Sequence, residues 1–416
     1  MAIMPQYEEK HYFIMKSLLA NKKILFGISG SIAVYKAAEW VRELAKAEAD
    51  VTVVMTEAAT RFVSSLTFAT LSGSRVYTGM FEPDAGEEIT HISLARECDL
   101  FIVAPATAQT IAKLAHGFAD NLLSSLALAN RAKVLIFPAM NSNMYCHPAT
   151  QANLARIKEF GYSIIEPDEG KLACGDEGVG RLVDWDLARE VILSAFAPQD
   201  LQEQTVLITA GPTCESFDPA RHLSNRSSGK MGYALAQSAK RRGARVILIS
   251  GLTSIKTPHG VEMIHVNSAL QMYDAVMENY NDADIAVMAA AVSDYRPEKN
   301  MEQKIKKGSG KLGLELIPNP DILKELGKRK KKSKVPFLVG FAAESCDHIE
   351  EGKRKLKEKN LDLIVVNDII GKDTGFGTDT NQVNLIDRDY QLEKLPLLSK
   401  EECAYIIWDK ILKLLQ

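Results

Sequence analysis

Cysteine is scarce and unordered in this chain: six residues in 416, with no CxxC pair and no regular spacing. That excludes a disulfide scaffold and argues against a zinc site built on thiolates. No apolar run approaches a bilayer span; the stretch from Asp284 to Val292 is among the longest and is far too short. No basic segment followed by an apolar one opens the sequence, because Met1 to Leu19 mixes Glu, Lys, His and Tyr. A cytoplasmic protein is therefore expected. Charge of one sign is also lacking. A net charge of −3 gives no electrostatic reason for a nucleic-acid or membrane partner. The one basic run, Lys328 to Lys334, has no interleaved aromatics and reads as a solvated connector.

What remains is an ordinary globular composition, 46% hydrophobic and 25% charged, in a chain long enough for two or three cores. The apolar runs Lys23–Ser29 and Val51–Met55 flank a glycine turn and a helical stripe at Val34, Ala38, Val41 and Ala45. The pattern starts afresh at Thr205–Thr209, continues through a helix from about Lys230 to Arg241, and reaches a strand at Val246–Ile249. Further buried-strand runs are Leu100–Ala104, Lys133–Phe137 and Tyr162–Ile165 in the first half. In the second half they are Ile285–Ala290, Phe337–Phe341 and Leu363–Val366. The polar, proline-bearing segment 197–204 reads as a linker. The fold class expected is α/β, two doubly wound Rossmann-like domains whose ligands sit beyond the carboxyl ends of the strands.

The turn Gly27-Ile-Ser-Gly30-Ser31-Ile-Ala33 would let backbone N–H groups and the Ser31 hydroxyl approach a phosphate at a helix N-terminus. It is not GxGxxG, and the second strand ends in Met55-Thr56 without the acid that binds an adenosine ribose. A mononucleotide such as FMN fits better than NAD. Thr56, Ala106 and Thr107 follow strands in the same way and join Gly30 and Ser31 as candidate flavin contacts. Ahead of the linker, Gly170-Lys-Leu-Ala-Cys174-Gly-Asp-Glu-Gly-Val-Gly-Arg181 is a glycine-rich loop long enough to act as a lid. In the second half, Gly229-Lys230 fails the P-loop pattern at Ser224 and Met231, and the segment reads as another kind of anion-binding helix start, with Arg226 beside it.

The motifs GSIAVYK, THISLA, APATA, PAMNxxM and LACGDEGVGR together resemble the decarboxylase part of the bifunctional coenzyme A biosynthesis proteins, within the flavin-containing cysteine decarboxylases. The resemblance implies FMN, a flavodoxin-like domain over residues 21–196, and 4′-phosphopantothenoyl-cysteine as substrate. It implies oxidation of the thiol toward a thioaldehyde, loss of CO₂, and reduction of the resulting ene-thiol with no net redox change. It assigns His91 to the oxidative decarboxylation, Asn141 to holding the substrate carboxylate and Cys174 to donating the last proton. Taken singly, each has a plainer explanation: a surface or capping histidine, a turn asparagine, an inert thiol. Their occurrence together, each within its own motif, outweighs those. Tyr145 and Gln109 depart from the family pattern, which usually has tryptophan at the first position and often Asn or Asp at the second.

The run TAGPTxExFDPxRxxSNRSSGKMG, with AAAVSDYRP, KIKK, NPDIL, GFAAE and KNLDLIVVND, resembles phosphopantothenate–cysteine ligase over residues 205–416. That family mostly activates 4′-phosphopantothenate with CTP, and the cysteine amine attacks the acyl-cytidylate. Carried over position by position, the CTP contacts are Met288, Ala289, Ala290, Asp294, Lys304, Asn319, Pro320, Asp321, Ile322, Phe341, Lys355 and Lys359. Asn225 matches the asparagine implicated in converting the acyl-cytidylate. Lysines suit a triphosphate, and the i, i+4 spacing of Lys355 and Lys359 puts both on one helix face. Asp294 could hold Mg²⁺ against the phosphates or read the nucleotide. Ala220 and Ser345 are small departures. The resemblance runs from about residue 21 to 410, leaving residues 1–20 as an extension with no assigned function. It also implies a homo-oligomer, decarboxylase trimers and ligase dimers closing into a dodecamer. Two alternatives are a flavin prenyltransferase-like enzyme, which would lack the second half, and a regulatory flavoprotein, which can lose the Asn or Cys present here.

Overall fold

The computed structural model describes residues 12–80, 90–171, 175–306, 312–330, 336–344, 348–368 and 377–416. Cys174, Ser345 and the end of the basic run (331–334) lie outside them. The chain divides into two compact units between Phe196 and Ala197.

In the first unit, six parallel strands carry the fold: β1 (Lys23–Ile28), β2 (Asp50–Met55), β3 (Val76–Tyr77), β4 (Leu100–Ala106), β5 (Lys133–Pro138) and β6 (Ser163–Ile164), in the order β3-β2-β1-β4-β5-β6. Setting aside the two-residue edge strand β3 leaves the 2-1-3-4-5 order of flavodoxin-like sheets. β4 is buried at every position, which is why it reads in sequence as an unbroken apolar run. Helix Val34–Lys46 buries Val34, Ala37, Trp40, Val41 and Leu44. Val34 and Val41 of the expected stripe are fully buried, whereas Ala38 and Ala45 are half-buried: Trp40 is the largest apolar side chain on the helix, and its burial turns those two toward the edge of the contact. Trp40 meets Phe137 edge-on at 5.1 Å.

Residues 1–20 are not wholly an appendage. Helix Tyr12–Leu19 sets Ile14, Met15 and Leu19 into the unit (2%, 4% and 0% exposed), and it packs beside helix Trp185–Phe196. The glycine-rich segment expected as a lid loop is an antiparallel hairpin, Asp168–Lys171 against Glu177–Arg181.

The second unit is built on eight strands: β7 (Thr205–Ala210), β8 (Arg245–Ser250), β9 (Glu262–His265), β10 (Ile285–Met288), β11 (Phe337–Glu344), β12 (Leu363–Asp368), β13 (Val383–Asp387) and β14 (Leu392–Lys394). Their order is β9-β8-β7-β10-β11-β12-β13-β14; the first six run parallel and the last two form an antiparallel edge. Helix Lys230–Arg241 begins at the expected glycine, and helix Lys400–Leu415 covers it, with Trp408 Nε1 donating to the Leu235 carbonyl at 3.0 Å. The segment expected as a linker is not a free spacer. Leu201 is fully buried, and Asp200 takes two hydrogen bonds from Arg242, at 2.8 and 2.6 Å. Arg242 also binds Asp409 at 2.6 Å, so residues 200–201 are fastened to the second unit.

Candidate functional site

In each sheet the order of strand addition turns back beside the unit's first strand, between β1 and β4 in one unit and between β7 and β10 in the other. A crevice opens at such a point because the two following connections leave on opposite faces.

At the first of these points, the ends of β1, β2 and β4 bring Gly30, Ser31, Thr56, Ala106 and Thr107 to one edge. The Ser29 hydroxyl donates to the Pro105 carbonyl at 2.7 Å and accepts from the Thr107 N–H at 3.0 Å, tying the two strand ends together. Thr56 and Thr107 cap short helices by accepting from Ala59 and Thr110 N–H, both at 3.3 Å. Gly30 is required by close approach, since a Cβ there would stand 2.5 Å from that of Ala58. The edge is thus lined by neutral hydroxyls and backbone amides with no acid at the end of β2. That donor set suits the phosphate and ribityl hydroxyls of a mononucleotide.

Asn141 follows β5 and caps helix Ser142–Cys146. Its Oδ1 accepts from Asn143 N–H at 2.9 Å, and its Nδ2 donates to Asp176 at 3.0 Å. Asp176 lies on the hairpin that docks against this same turn, where Met140 N–H donates to the Gly180 carbonyl at 3.0 Å. Gly180 has φ +143°, and a Cβ would meet the Met140 carbonyl oxygen at 2.2 Å. The structure therefore brings Asn141 beside the hairpin in whose sequence Cys174 falls. His91 is half-buried on helix Thr90–Glu97 and, among the described residues, makes no hydrogen bond to Asn141 or the hairpin. Tyr145, the departure from the family pattern, is 6% exposed and donates to Glu166 just ahead of the hairpin. Burial, then the Glu166 carboxylate, pushes its phenol well up, so it stays a neutral donor.

The switch point of the second unit holds a cavity of about 440 Å³. Every candidate of the second half except Lys304 lines it: Asn225, Met288, Ala289, Ala290, Asp294, Asn319 through Ile322, Phe341, Lys355 and Lys359. Lys304 is exposed and outside the cavity, on a stretch held from below by Asp218, which accepts from Ile305 N–H at 3.2 Å. Arg226, expected beside the anion site, is exposed and also outside. Helix His348–Glu358 ends one residue before Lys359, whose N–H still reaches the Lys355 carbonyl at 3.0 Å; both lysines keep to one side. Lys359 pairs with Asp321 at 2.8 Å, and Asp321 caps helix Ile322–Arg329 through Lys324 N–H at 3.0 Å. Asn225 lines the cavity and donates to the Ala291 carbonyl at 3.0 Å. Among the described residues, no group of three His, Cys, Asp or Glu could hold a metal.

Other lining residues were not singled out. The start of helix Lys230–Arg241 contributes Ser227 through Gly232; the sequence marked it as an anion site but not as part of this one. Lys230 pairs with Asp379 at 2.6 Å, and Lys400, 8% exposed, donates to the carbonyls of Thr378 and Thr380. Asn367 and Asn381 line the cavity with amide oxygens that have no hydrogen-bond partner among the described residues. Lone polar residues far along the chain carry no sequence signal that they converge here.

Two family models match the chain: one described as Flavoprotein over residues 14–196, and one described as DNA/pantothenate metabolism flavoprotein C-terminal domain over residues 201–415. The coenzyme A biosynthesis bifunctional protein CoaBC of Bacillus subtilis (strain 168) is 47% identical over 398 residues, 95% of this chain and 97% of its own length. The protein of that name from Escherichia coli (strain K12) is 43% identical over 397 residues, 94% of this chain and 97% of its own. A crystal structure of the C-terminal domain of a protein of the same name is 40% identical, covering 52% of this chain and 98% of that one, with a TM-score of 0.45. The chain belongs to the family of coenzyme A biosynthesis bifunctional proteins, its first unit a flavoprotein domain and its second the domain that accompanies it.

Proposed function

We propose that this chain makes 4′-phosphopantetheine, ligating cysteine to 4′-phosphopantothenate in its second unit and decarboxylating the product in its first. The observation that carries the reading is the convergence of the ligase candidates, separated by up to 134 positions in sequence (359 − 225), on one cavity at a switch point. Both activities reside in one chain, and FMN belongs to the first unit.

In the ligase unit, a carboxylate oxygen of 4′-phosphopantothenate attacks the α-phosphorus of CTP. The bond to pyrophosphate breaks, leaving an acyl-cytidylate. The cysteine amine then attacks the acyl carbon, its nitrogen loses a proton, and CMP departs. Lys355 and Lys359 offset the triphosphate charge, and the N–H groups at the start of helix Lys230–Arg241 point at anionic oxygens. Asp294 would hold Mg²⁺ against the phosphates, with water completing the ion's ligands. Asn225, whose amide donates to the Ala291 carbonyl at the cavity, serves the conversion of the acyl-cytidylate. The unpaired oxygens of Asn367 and Asn381 suit the hydroxyl or amino donors of a nucleoside.

In the decarboxylase unit, bound FMN supplies reversible two-electron chemistry that lets the cysteinyl carboxylate depart as CO₂ without net redox change. Asn141 orients that carboxylate through a neutral N–H, which holds it without the strong stabilisation of an ion pair. His91 serves the oxidative step, and Cys174 donates the last proton. Directly after the candidate flavin turn, Ile32 and Tyr35 are 56% and 61% exposed, apolar surface that a homo-oligomer would cover. No described helix is long and apolar enough to cross a membrane, and the cytoplasm is the location proposed.

The test is to incubate purified protein with 4′-phosphopantothenate, cysteine, Mg²⁺ and either CTP or ATP, following pyrophosphate. The expected result is release with CTP far faster than with ATP. Equal rates would remove the CTP assignment, and no release with either nucleotide would remove the ligase reading.

A further inference from the structure

Beyond β10 the chain enters the ligase cavity as Ala289 and Ala290, both half-buried and both on its wall. Their methyl groups form no hydrogen bond, so polar contact with a ligand falls to the peptide groups. Two of the N–H groups here are already used. Ala290 N–H donates to the Thr209 hydroxyl at 3.2 Å, and Ala291 N–H donates to the Gly211 carbonyl at 2.9 Å. A trans peptide is planar, with its N–H and C=O pointing opposite ways. Since both N–H groups turn toward β7 and the residues after it, the carbonyls of Ala289 and Ala290 turn away from them. No described residue donates to either carbonyl. The next one, Ala291, is filled: it accepts from Thr213 N–H at 3.3 Å and from the Asn225 amide at 3.0 Å. Two open carbonyls in succession repel phosphate and carboxylate oxygens and hold a donor.

Thr209 fixes which way the first of them faces. It is buried at the end of β7, and its hydroxyl leans on Met288 Sδ at 3.9 Å, which leaves its lone pairs for Ala290 N–H. Without that acceptor, nothing on the β7 side holds the 289–290 peptide against turning its N–H to the cavity. We infer that Thr209 is a positioning residue for nucleotide recognition: it holds the Ala289 carbonyl, beside that of Ala290, toward an N–H or O–H donor of the nucleoside. The inference rests on the ligase reading given above, in which Met288, Ala289 and Ala290 contact CTP. A nucleoside carries such donors in two places, the exocyclic amine of the base and the ribose hydroxyls.

The experiment uses the full chain with 4′-phosphopantothenate, cysteine and Mg²⁺, and reads kcat and KM for pyrophosphate release. The nucleotides are CTP, UTP (a carbonyl in place of the amine), 2′-deoxy-CTP and 3′-deoxy-CTP. In the parent, at least one of the last three is expected to fall about tenfold or more below CTP in kcat/KM. Thr209→Val keeps the side-chain shape and removes the acceptor, whereas Thr209→Ser keeps the acceptor. For T209V, KM for CTP is expected to rise about tenfold with kcat within about threefold, the pattern of a lost binding contact. The advantage of CTP over the disfavoured analogue should shrink toward equality in the same variant. T209S is expected to stay within about threefold of the parent. A shrunken advantage over UTP assigns the donor to the base amine, and one over a deoxy analogue assigns it to that hydroxyl; either supports the inference. Parent-like KM and selectivity in T209V, or T209S as impaired as T209V, would overturn the role of Thr209. If T209V does not fold, the parent decides, because equal kcat/KM for all four nucleotides would overturn the donor-holding carbonyl pair. No pyrophosphate from the parent with any nucleotide would instead overturn the ligase reading.

Discussion

Gly180→Ala is the substitution for which the structure gives the most definite consequence. At φ +143° the backbone is in a region that L-residues other than glycine rarely occupy, and the new Cβ would stand 2.2 Å from the Met140 carbonyl oxygen. The backbone term is about 1–3 kcal/mol. Overpacking against a carbonyl that is itself part of the Asn141 turn adds about 1–3 kcal/mol. Together they come to roughly 2–6 kcal/mol against the docked hairpin, at least about a thirtyfold change in its docking equilibrium. A hairpin at the edge of a unit can open alone, so the strain should be relieved there and not by unfolding the sheet. The assay is CO₂ release from supplied 4′-phosphopantothenoyl-cysteine, with pyrophosphate release and thermal unfolding measured on the same preparation. Decarboxylation should fall by at least tenfold while ligation and the main unfolding transition barely change. Gly161→Ala is the control, with φ +87° but nothing within 4 Å of the added Cβ; it should cost stability and leave decarboxylation alone. A Gly180→Ala protein that decarboxylates at the parent rate would refute the claim that the docked hairpin builds the site.

Three further outcomes follow from single contacts. Lys359→Ala should raise KM for CTP in pyrophosphate release about tenfold, as expected for one charge-assisted contact, and leave CO₂ release from supplied intermediate unchanged; an unaltered KM would place the triphosphate elsewhere. Burial alone would raise the Asp387 carboxyl, but Lys410 at 2.9 Å and the N–H groups of Gln391 and Asp389 outweigh it and hold it below its ordinary value. Its contribution to stability is thus complete above the unfolded carboxylate value of about 3.9 and is lost as pH falls through the native one. The gap in urea midpoint between the parent and Asp387→Asn should accordingly shrink below about pH 4; a gap constant from neutral pH to pH 3 would contradict this. Burial pushes the Cys98 thiol up to about 11 and the Cys403 thiol up to about 12. Both should survive iodoacetamide at neutral pH in the native protein while exposed Cys146 is labelled, as peptide mass mapping would show.

The sheets were legible because parallel strands covered on both faces leave continuous apolar runs, and every strand run named from the sequence overlaps a strand of the structure. Most of the second-unit motif residues that follow those runs line the cavity at the switch point, since the position of that crevice is a property of strand order. What stayed hidden depended on contacts across long separations. The hairpin 168–181 reads as a loop because glycines erase the alternation that marks a half-buried strand, and its fit against Met140 appears only in three dimensions. The antiparallel edge β13–β14 lies beyond the last run picked out, and its outer strand is exposed throughout. Lys400 and Asn381 reach the cavity from the C-terminal region with no motif to announce them. Lys304 matched a motif yet stands outside the cavity, because a motif fixes a position in the chain and not the reach of an exposed side chain.

The most direct test of the two-step account uses cysteine labelled at its carboxyl carbon. Labelled CO₂ can appear only if the amino acid is first joined to 4′-phosphopantothenate and the product is then decarboxylated. The account predicts labelled CO₂ that requires 4′-phosphopantothenate and CTP together and matches pyrophosphate in amount once intermediates have drained. Pyrophosphate without labelled CO₂, from flavin-loaded folded protein, would contradict it.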